Sequence, residues 1–509
     1  MEVEHTMMDV EKFETGIAGL DEITDGGFPK FRTTLVAGTS GSAKTVFAAQ
    51  FLTEGIRKHK TPGVFITFEE QPEDIRKNLS SLGWDIPRWE KEKMWGFVDG
   101  SPTSGNETVI IGTYDLGALL ARIEHAVSSI GAERVVLDSL GAVFNMFDDI
   151  HTIRSELFRL NSALRKLGVT AIMTAERTEE YGAIARFGVE EFVTDNVIIL
   201  RNILEDEKRR RTIEILKFRG TSHHKGEYPF TILPGKGIEI IPLSSIRLLQ
   251  RSSNVRITSG NEEIDEMCGG GYFRDSIILV SGATGTGKTL MTTEFIAGGV
   301  SADERCMLFA FEESREQLIR NAIGWGIDFE KMEEKGNLKI VCKYPEVDSL
   351  EDHLIHIKDE VEAFGPNRVA IDSLSALERI ATVKGFREFV ISLTSFIKHK
   401  EVAGLFTATT STLTGGMSVT EAHISTLTDS IILLRYVELY GEMRRGLTIL
   451  KMRGSMHRKD ICEFTIDNQG MHVGKPFRNI IGILAGNPQQ IGDREIGRLE
   501  DMFREPGIT

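Results

Sequence analysis

This chain of 509 residues repeats itself once. Lys44 and Lys288 end matching glycine-rich runs 244 residues apart, and the acidic pairs Glu69-Glu70 and Glu312-Glu313 recur at 243. Asp138 and Asp372, which close Arg134-Val-Val-Leu-Asp138 and Arg368-Val-Ala-Ile-Asp372, recur at 234, as do Lys217-Phe-Arg-Gly220 and Lys451-Met-Arg-Gly454. Spacings this long mean one domain duplicated, not a short-period solenoid. The drop from 243 to 234 requires extra residues in the first copy. The stretch Gly100–Thr108, rich in Gly, Ser and Thr, reads as that longer surface loop. The length suits two domains of roughly 230–250 residues. The boundary is expected within Pro242–Ser259, giving domains 1–246 and 247–480 and a segment 481–509 with no counterpart in the first half.

The glycine-rich runs are Gly38-Thr-Ser-Gly-Ser-Ala-Lys44-Thr45 and Gly282-Ala-Thr-Gly-Thr-Gly-Lys288-Thr289. The second is a complete phosphate-binding loop; the first carries Ala43 where the last glycine belongs. In such a loop backbone N–H groups face a triphosphate, the lysine reaches the outer phosphates, and the threonine hydroxyl binds Mg²⁺. The expected nucleotide contacts are Ser40, Gly41, Ser42, Ala43, Lys44, Thr45 and Val46 in the first copy. In the second they are Thr284, Gly285, Thr286, Gly287, Lys288, Thr289 and Leu290.

Short apolar runs, Thr33–Ala37 and Ser276–Ser281, lead into the loops and read as buried strands, each followed by a helix. Val64–Phe68 and Met307–Phe311 read as strands ending at the acidic pairs. Strands alternating with helices predict an α/β fold with a parallel-rich sheet covered on both faces, with ligands beyond the strands' carboxyl ends. Loops, acidic pairs and aspartates then converge on one pocket per copy.

Asp138 and Asp372 read as Mg²⁺-supporting carboxylates beside Thr45 and Thr289; helix capping ahead of Ser139 and Ser373 is the plain alternative. Glu69, Glu70, Glu312 and Glu313 suit positioning a water or accepting a hydroxyl proton, against the competing reading of solvated surface pairs. If Lys217-Phe-Arg219 and Lys451-Met-Arg453 are strands, both cations of each project from one face, suited to phosphates on a neighbouring protomer's nucleotide or simply to solvent. The runs Lys208–Arg211 and Arg444-Arg445 lack interleaved aromatics and read as solvated or nucleotide-facing. His223-His224 and His457 have no Cys or His companions at metal spacing.

A net charge of −15 argues against a broad nucleic-acid surface. No apolar run is long enough to span a membrane, and Met1-Glu-Val-Glu-His5 does not read as a signal peptide. Four unclustered cysteines (268, 306, 342, 462) point to a reducing compartment, with the cytoplasm expected.

Longer stretches carry a resemblance. Phe-Glu-Glu follows a strand in both halves; Ser252-Ser-Asn-Val-Arg256, Ser281–Thr289, Ile371-Asp-Ser-Leu-Ser-Ala376, His423-Ile-Ser-Thr-Leu-Thr-Asp429 and Lys451-Met-Arg-Gly-Ser455 complete the set. The chain resembles the KaiC family, the tandem RecA-like ATPases of the circadian clock, over nearly its whole length. The resemblance implies two tandem RecA-like P-loop domains and a two-tiered homohexamer holding ATP between neighbouring subunits in both tiers. It also implies regulatory partners of the KaiA and KaiB kind. Glu69 would activate water in the first tier, and Glu312 would act as general base of a serine/threonine autokinase in the second. Ser81, Lys217, Phe218, Arg219, Thr221 and His223 match first-tier ATP contacts. Trp325, Arg445, Lys451, Met452, Arg453, Ser455, His457 and Lys459 match second-tier ones, Met456 stands at a further second-tier contact position, and Ser425 and Thr426 match the phosphorylated pair.

The duplication supports that last assignment independently: in register, the first copy has Glu191 and Phe192, so only the second copy carries hydroxyls. An ordinary loop Ser-Thr is the competing reading. Departures from the family are Ala43, Leu233-Pro234, Met456 in place of an aromatic, and a divergent tail Gly486–Thr509. The tail's acidic, amphipathic stretch from Gly492 to Phe503 either docks a partner or packs. The leading expectation is an ATP-driven autokinase, autophosphatase and ATPase working in timing or signalling. A RecA-type DNA-remodelling ATPase and a scaffold that binds ATP only to assemble are the alternatives, the first disfavoured by acidity and the second by the Glu pairs and Ser425-Thr426.

Overall fold

The computed structural model describes residues 10–101, 116–147, 149–205, 208–242, 252–410, 424–478, 480–484, 486 and 488–490. Most of the expected Gly100–Thr108 loop, the junction from 243 to 251, His423 and the chain beyond Gln490 lie outside the described residues. The chain divides into two compact units, Met1–Ile246 and Arg247–Thr509.

The first unit is built on nine strands. Across the sheet they run Gly237–Ile240, Glu227–Leu233, Lys208–Phe218, Asn196–Glu205, Thr33–Gly38, Thr170–Glu176, Arg134–Asp138, Gly63–Thr67 and Trp95–Asp99. The six from Asn196–Glu205 to Trp95–Asp99 are mutually parallel; the other three add on antiparallel. The second unit repeats this order with Gly470–Pro476, Cys462–Asp467, Glu442–Met452, Ser430–Leu439, Ile277–Gly282, Ala403–Thr409, Arg368–Asp372, Cys306–Ala310 and Leu338–Cys342. The phosphate-loop strand is central in both, and it is buried along its length because helices cover both faces. This is the tandem α/β architecture expected.

The helix following each loop, Lys44–Glu54 and Lys288–Ser301, lies against the sheet. Phe47 and Phe51, and Phe295 and Ile296, are fully buried, and both helices lack a polar stripe because the sheet and its antiparallel extension enclose them. Arg134 and Arg368, at the start of the strands that end in Asp138 and Asp372, are buried and clamp the backbone. Arg134 donates to the carbonyls of Glu14, Thr15 and Phe51; Arg368 donates to those of Thr258 and Phe295 and pairs with Glu304. Such clamps seat the amino end of the strand whose carboxyl end carries the site aspartate.

Candidate nucleotide sites

Parallel register brings the first-unit elements to one edge. Gly38, Asp138 and Thr67 each close a strand at the same end of the sheet. A cavity of about 300 Å³ opens there, lined by the loop residues Ser40, Gly41 and Ala43 to Val46, by Glu69, Glu70, Asp138 and Ser139, and by Glu176. Lys44 Nζ donates to the carbonyls of Gly38 and Thr39 at 2.9 and 3.0 Å, and Lys288 makes the same pair to Gly282 and Ala283 at 3.0 Å. Burial pushes both ammonium pKa values down, and carboxylates push back: Asp138, Glu176, Glu69 and Glu180 around Lys44, Asp372 and Glu312 around Lys288.

The aspartates are cross-linked to their neighbours. Thr174 and Thr407, on the adjacent strand, donate to Asp138 and Asp372. Burial raises both carboxyl pKa values, while these bonds, those from Thr45 and Thr289, and the loop lysines hold the rise back. Hydroxyl and carboxylate therefore meet in each site, a set of hard oxygen donors that fits Mg²⁺. The serine after each aspartate ties the acidic pair into place: Ser139 Oγ donates to Glu69 at 2.8 Å, and Ser373 Oγ to Glu312 at 3.0 Å. Glu312 also pairs with Arg379 at 2.9 Å. The second glutamates accept from Asn78 and Asn321 at 3.4 and 3.0 Å, and burial together with the nearby aspartate raises their pKa values.

Ala43 is left-handed at φ +74°, and so is Gly287 at φ +107°. The first loop keeps the backbone path of a glycine while carrying a methyl group. Ser81 caps the helix Pro72–Ser80, whose Asn78 holds Glu70; Trp325 ends the equivalent helix Arg315–Gly324. Arg445 lies over Tyr436, whose hydroxyl packs on Gly285. Its counterpart Arg211 donates to the Gly41 carbonyl at 3.3 Å, so the basic run Lys208–Arg211 has one member on the phosphate loop.

The remaining expected contacts sit elsewhere. Lys217, Phe218, Arg219, Thr221 and His223 lie at the opposite end of the sheet from their own loop, because Phe218 pairs with Asn196 and Asn196 with Thr34, near the start of the loop strand. Lys451, Met452, Arg453, Ser455, Met456, His457 and Lys459 repeat this, with Met452 paired to Ser430 and Ser430 to Ile278. The two-cation strand expectation is half right: Lys217 and Lys451 are on strands, but Arg219 and Arg453 fall in the turns that follow. There Lys451 Nζ donates to the carbonyls of Ser425 and Thr428 at 3.0 and 2.6 Å, and Arg453 to that of Thr426 at 2.8 Å. Lys217 grips Glu191 and Thr194 in the same way. Thr426 is exposed, and Phe192 in its place is 64% exposed.

Sequence reasoning missed Glu176. Its strand lies one step across the sheet from Asp138, and nothing in the local sequence marks it as pocket-lining.

A KaiC ATPase family model matches residues 13–245 and again 257–477. The circadian clock protein KaiC3 of Synechocystis sp. is 67% identical over 496 residues, covering 97% of this chain and 98% of that protein. The circadian clock oscillator protein KaiC of Thermostichus vulcanus is 54% identical over 488 residues, covering 96% and 94% respectively. Similarity of this extent, over both repeats, places the chain in the KaiC family, and it is a KaiC-type ATPase and autokinase.

Proposed function

We propose that this protein binds Mg-ATP in both units, hydrolyses it in the first and transfers its γ-phosphoryl group to Ser425 and Thr426 in the second. Thr45 with Asp138, and Thr289 with Asp372 and Glu312, hold the metal; Lys44 and Lys288 hold the phosphates. Glu69 takes the proton of a water, and Glu312 that of the acceptor hydroxyl. The working form is a homohexamer in the cytoplasm, met by regulatory proteins of the KaiA and KaiB kind. No helix among the described residues is long and apolar enough to cross a membrane.

One observation carries the transfer between subunits. Ser425 and Thr426 precede the amino end of the strand Ser430–Leu439, which runs parallel to Ile277–Gly282, whereas the chain's own loop follows that strand's carboxyl end. The five rises between its six residues, at roughly 3.3 Å each, put about 17 Å of sheet between them. Phosphoryl transfer needs reacting atoms about 3–3.5 Å apart, so a chain's own ATP is out of reach. Lys451 and Arg453, bonded to the acceptor turn, face whatever ATP the acceptors face, and a neighbour's ATP satisfies both.

Mixed hexamers test this. A Lys288→Ala protein assembled with a Ser425→Ala/Thr426→Ala protein should acquire phosphate on its own Ser425 and Thr426, seen by mass spectrometry. If it gains none while a wild-type control does, transfer is within one chain.

A further inference from the structure

The two pockets differ at one strand end. Gly38 pairs with Glu176 in the first unit, and Gly282 with Thr409 in the second, so Glu176 and Thr409 occupy the same register position. The threonines two residues earlier, Thr174 and Thr407, make the same bond to the site aspartate, which confirms the alignment. A second difference accompanies the first. Facing Glu176 is Gly141, where an added Cβ would lie 3.9 Å from the Glu176 carboxylate, whereas facing Thr409 is Ser375, whose Oγ accepts from the Thr409 N–H at 2.8 Å. The first unit thus leaves room at this corner for a long acidic side chain, and the second closes it with a hydroxyl.

Glu176 lines the first cavity and acts electrostatically on Lys44. Arg186 approaches it only at 3.9 Å, with both side chains 47% exposed. The other carboxylates of the site are engaged: Glu69 by Ser139, Glu70 by Asn78, Asp138 by Thr174.

We infer that Glu176 is the second acceptor for the attacking water, making the first unit a hydrolytic site. This rests on the reading of Glu69 as the residue that activates water. A water has two protons to restrain if its lone pair is to point at phosphorus; a serine or threonine hydroxyl has one. The first pocket offers two carboxylates, Glu69 and Glu176, and the second offers Glu312 with a neutral Thr409. In the hydrolytic step the water oxygen bonds to the γ-phosphorus as the bond to the β,γ-bridging oxygen breaks, and its electron pair leaves on ADP. One water proton passes to Glu69 and then to the released phosphate; the other stays on the oxygen, held by Glu176. Fixing an attacking group in this way acts on turnover, not on ground-state binding.

The test uses the full chain with Mg-ATP. Glu176→Gln and Glu176→Thr should lower kcat for ATP hydrolysis by about tenfold or more, with KM for ATP and ATP-dependent assembly unchanged, and Glu176→Asp should recover part of the loss. The reverse graft, Ser375→Gly/Thr409→Glu in a Glu69→Gln background, should restore measurable hydrolysis in the second unit. If Glu69→Gln abolishes hydrolysis but both Glu176 variants keep kcat within twofold, this inference falls and the assignment of Glu69 stands. A raised KM at unchanged kcat also overturns it, making Glu176 a nucleotide-binding residue. If Glu69→Gln itself leaves hydrolysis intact, the underlying reading fails and this one with it.

Discussion

Glu294 makes the second unit sensitive to pH near neutrality. It lies on the helix that follows the second phosphate loop and is only 6% exposed; its carboxylate accepts from the Met471 N–H at 2.8 Å and from Asn261 Nδ2 at 3.4 Å. Burial, assisted by Glu263, raises its pKa from 4.5 to about 7, against the two hydrogen bonds and His472, which lower it. A carboxyl with a raised folded-state pKa contributes full stability below its unfolded pKa and loses it as pH rises through the folded one. The shift corresponds to about 3 kcal/mol, lost between pH 4.5 and just above 7. The first unit has Gln50 at this place, neutral at every pH, donating to Lys236 and Ile238 carbonyls and accepting from the Ile238 N–H at 2.6 Å. Glu294→Gln should therefore leave stability unchanged at pH 4 and raise it at pH 8 by about 1–3 kcal/mol, which is roughly 2–4 °C of melting temperature per kcal/mol. Urea unfolding at a series of pH values, with second-unit peptides followed by pulsed hydrogen exchange, reads this out. Parallel pH profiles for variant and wild type would refute the reasoning, because the carboxyl would then titrate alike in folded and unfolded chains.

Glu69→Gln should remove most steady-state ATP hydrolysis while sparing phosphate incorporation, since only the second copy has hydroxyls, Ser425 and Thr426, where the first has Glu191 and Phe192; equal loss of both refutes that division. Lys44→Ala/Lys288→Ala should leave mostly smaller species by light scattering in the presence of ATP, as nucleotide binding stabilises the assembly by mass action. Full hexamers from that variant without nucleotide would contradict an interface-bound ATP. Ala43→Gly should relieve a left-handed alanine and stabilise the first unit by up to about 1 kcal/mol, seen as a higher calorimetric transition; a lower one would show that the methyl group's packing outweighs the backbone cost. Gly287→Ala should destabilise the second unit by about 1–3 kcal/mol and weaken its ATP binding, because the new Cβ would lie 2.9 Å from Ile466 Cδ1 in a strained backbone.

Much of the site is legible in the sequence. The loops, Asp138 and Asp372, and the Glu pairs each follow an apolar run, and a parallel sheet delivers all strand carboxyl ends to one edge, so chain order and periodicity sufficed to gather them. The duplication supplied a second reading of every element and picked out Ser425 and Thr426 by contrast with Glu191 and Phe192. What it did not supply was the end of the sheet on which a segment lies once the chain turns antiparallel. Lys217 and Lys451 carry the same local pattern whichever phosphates they face. Only the pairing of Phe218 with Asn196, and of Met452 with Ser430, sets them opposite their own loops.

Local sequence determined which segments become strands and which residues carry the phosphate-loop pattern, because backbone conformation and side-chain chemistry act over a few residues. Tertiary structure decided the rest: that Glu176 faces the first pocket, that Ser139 and Ser373 tether Glu69 and Glu312, and that Ser425 and Thr426 stand about 17 Å of sheet away from their own loop. Those relations join segments tens to hundreds of residues apart, and the strand order that brings them together comes from the packing of the whole sheet.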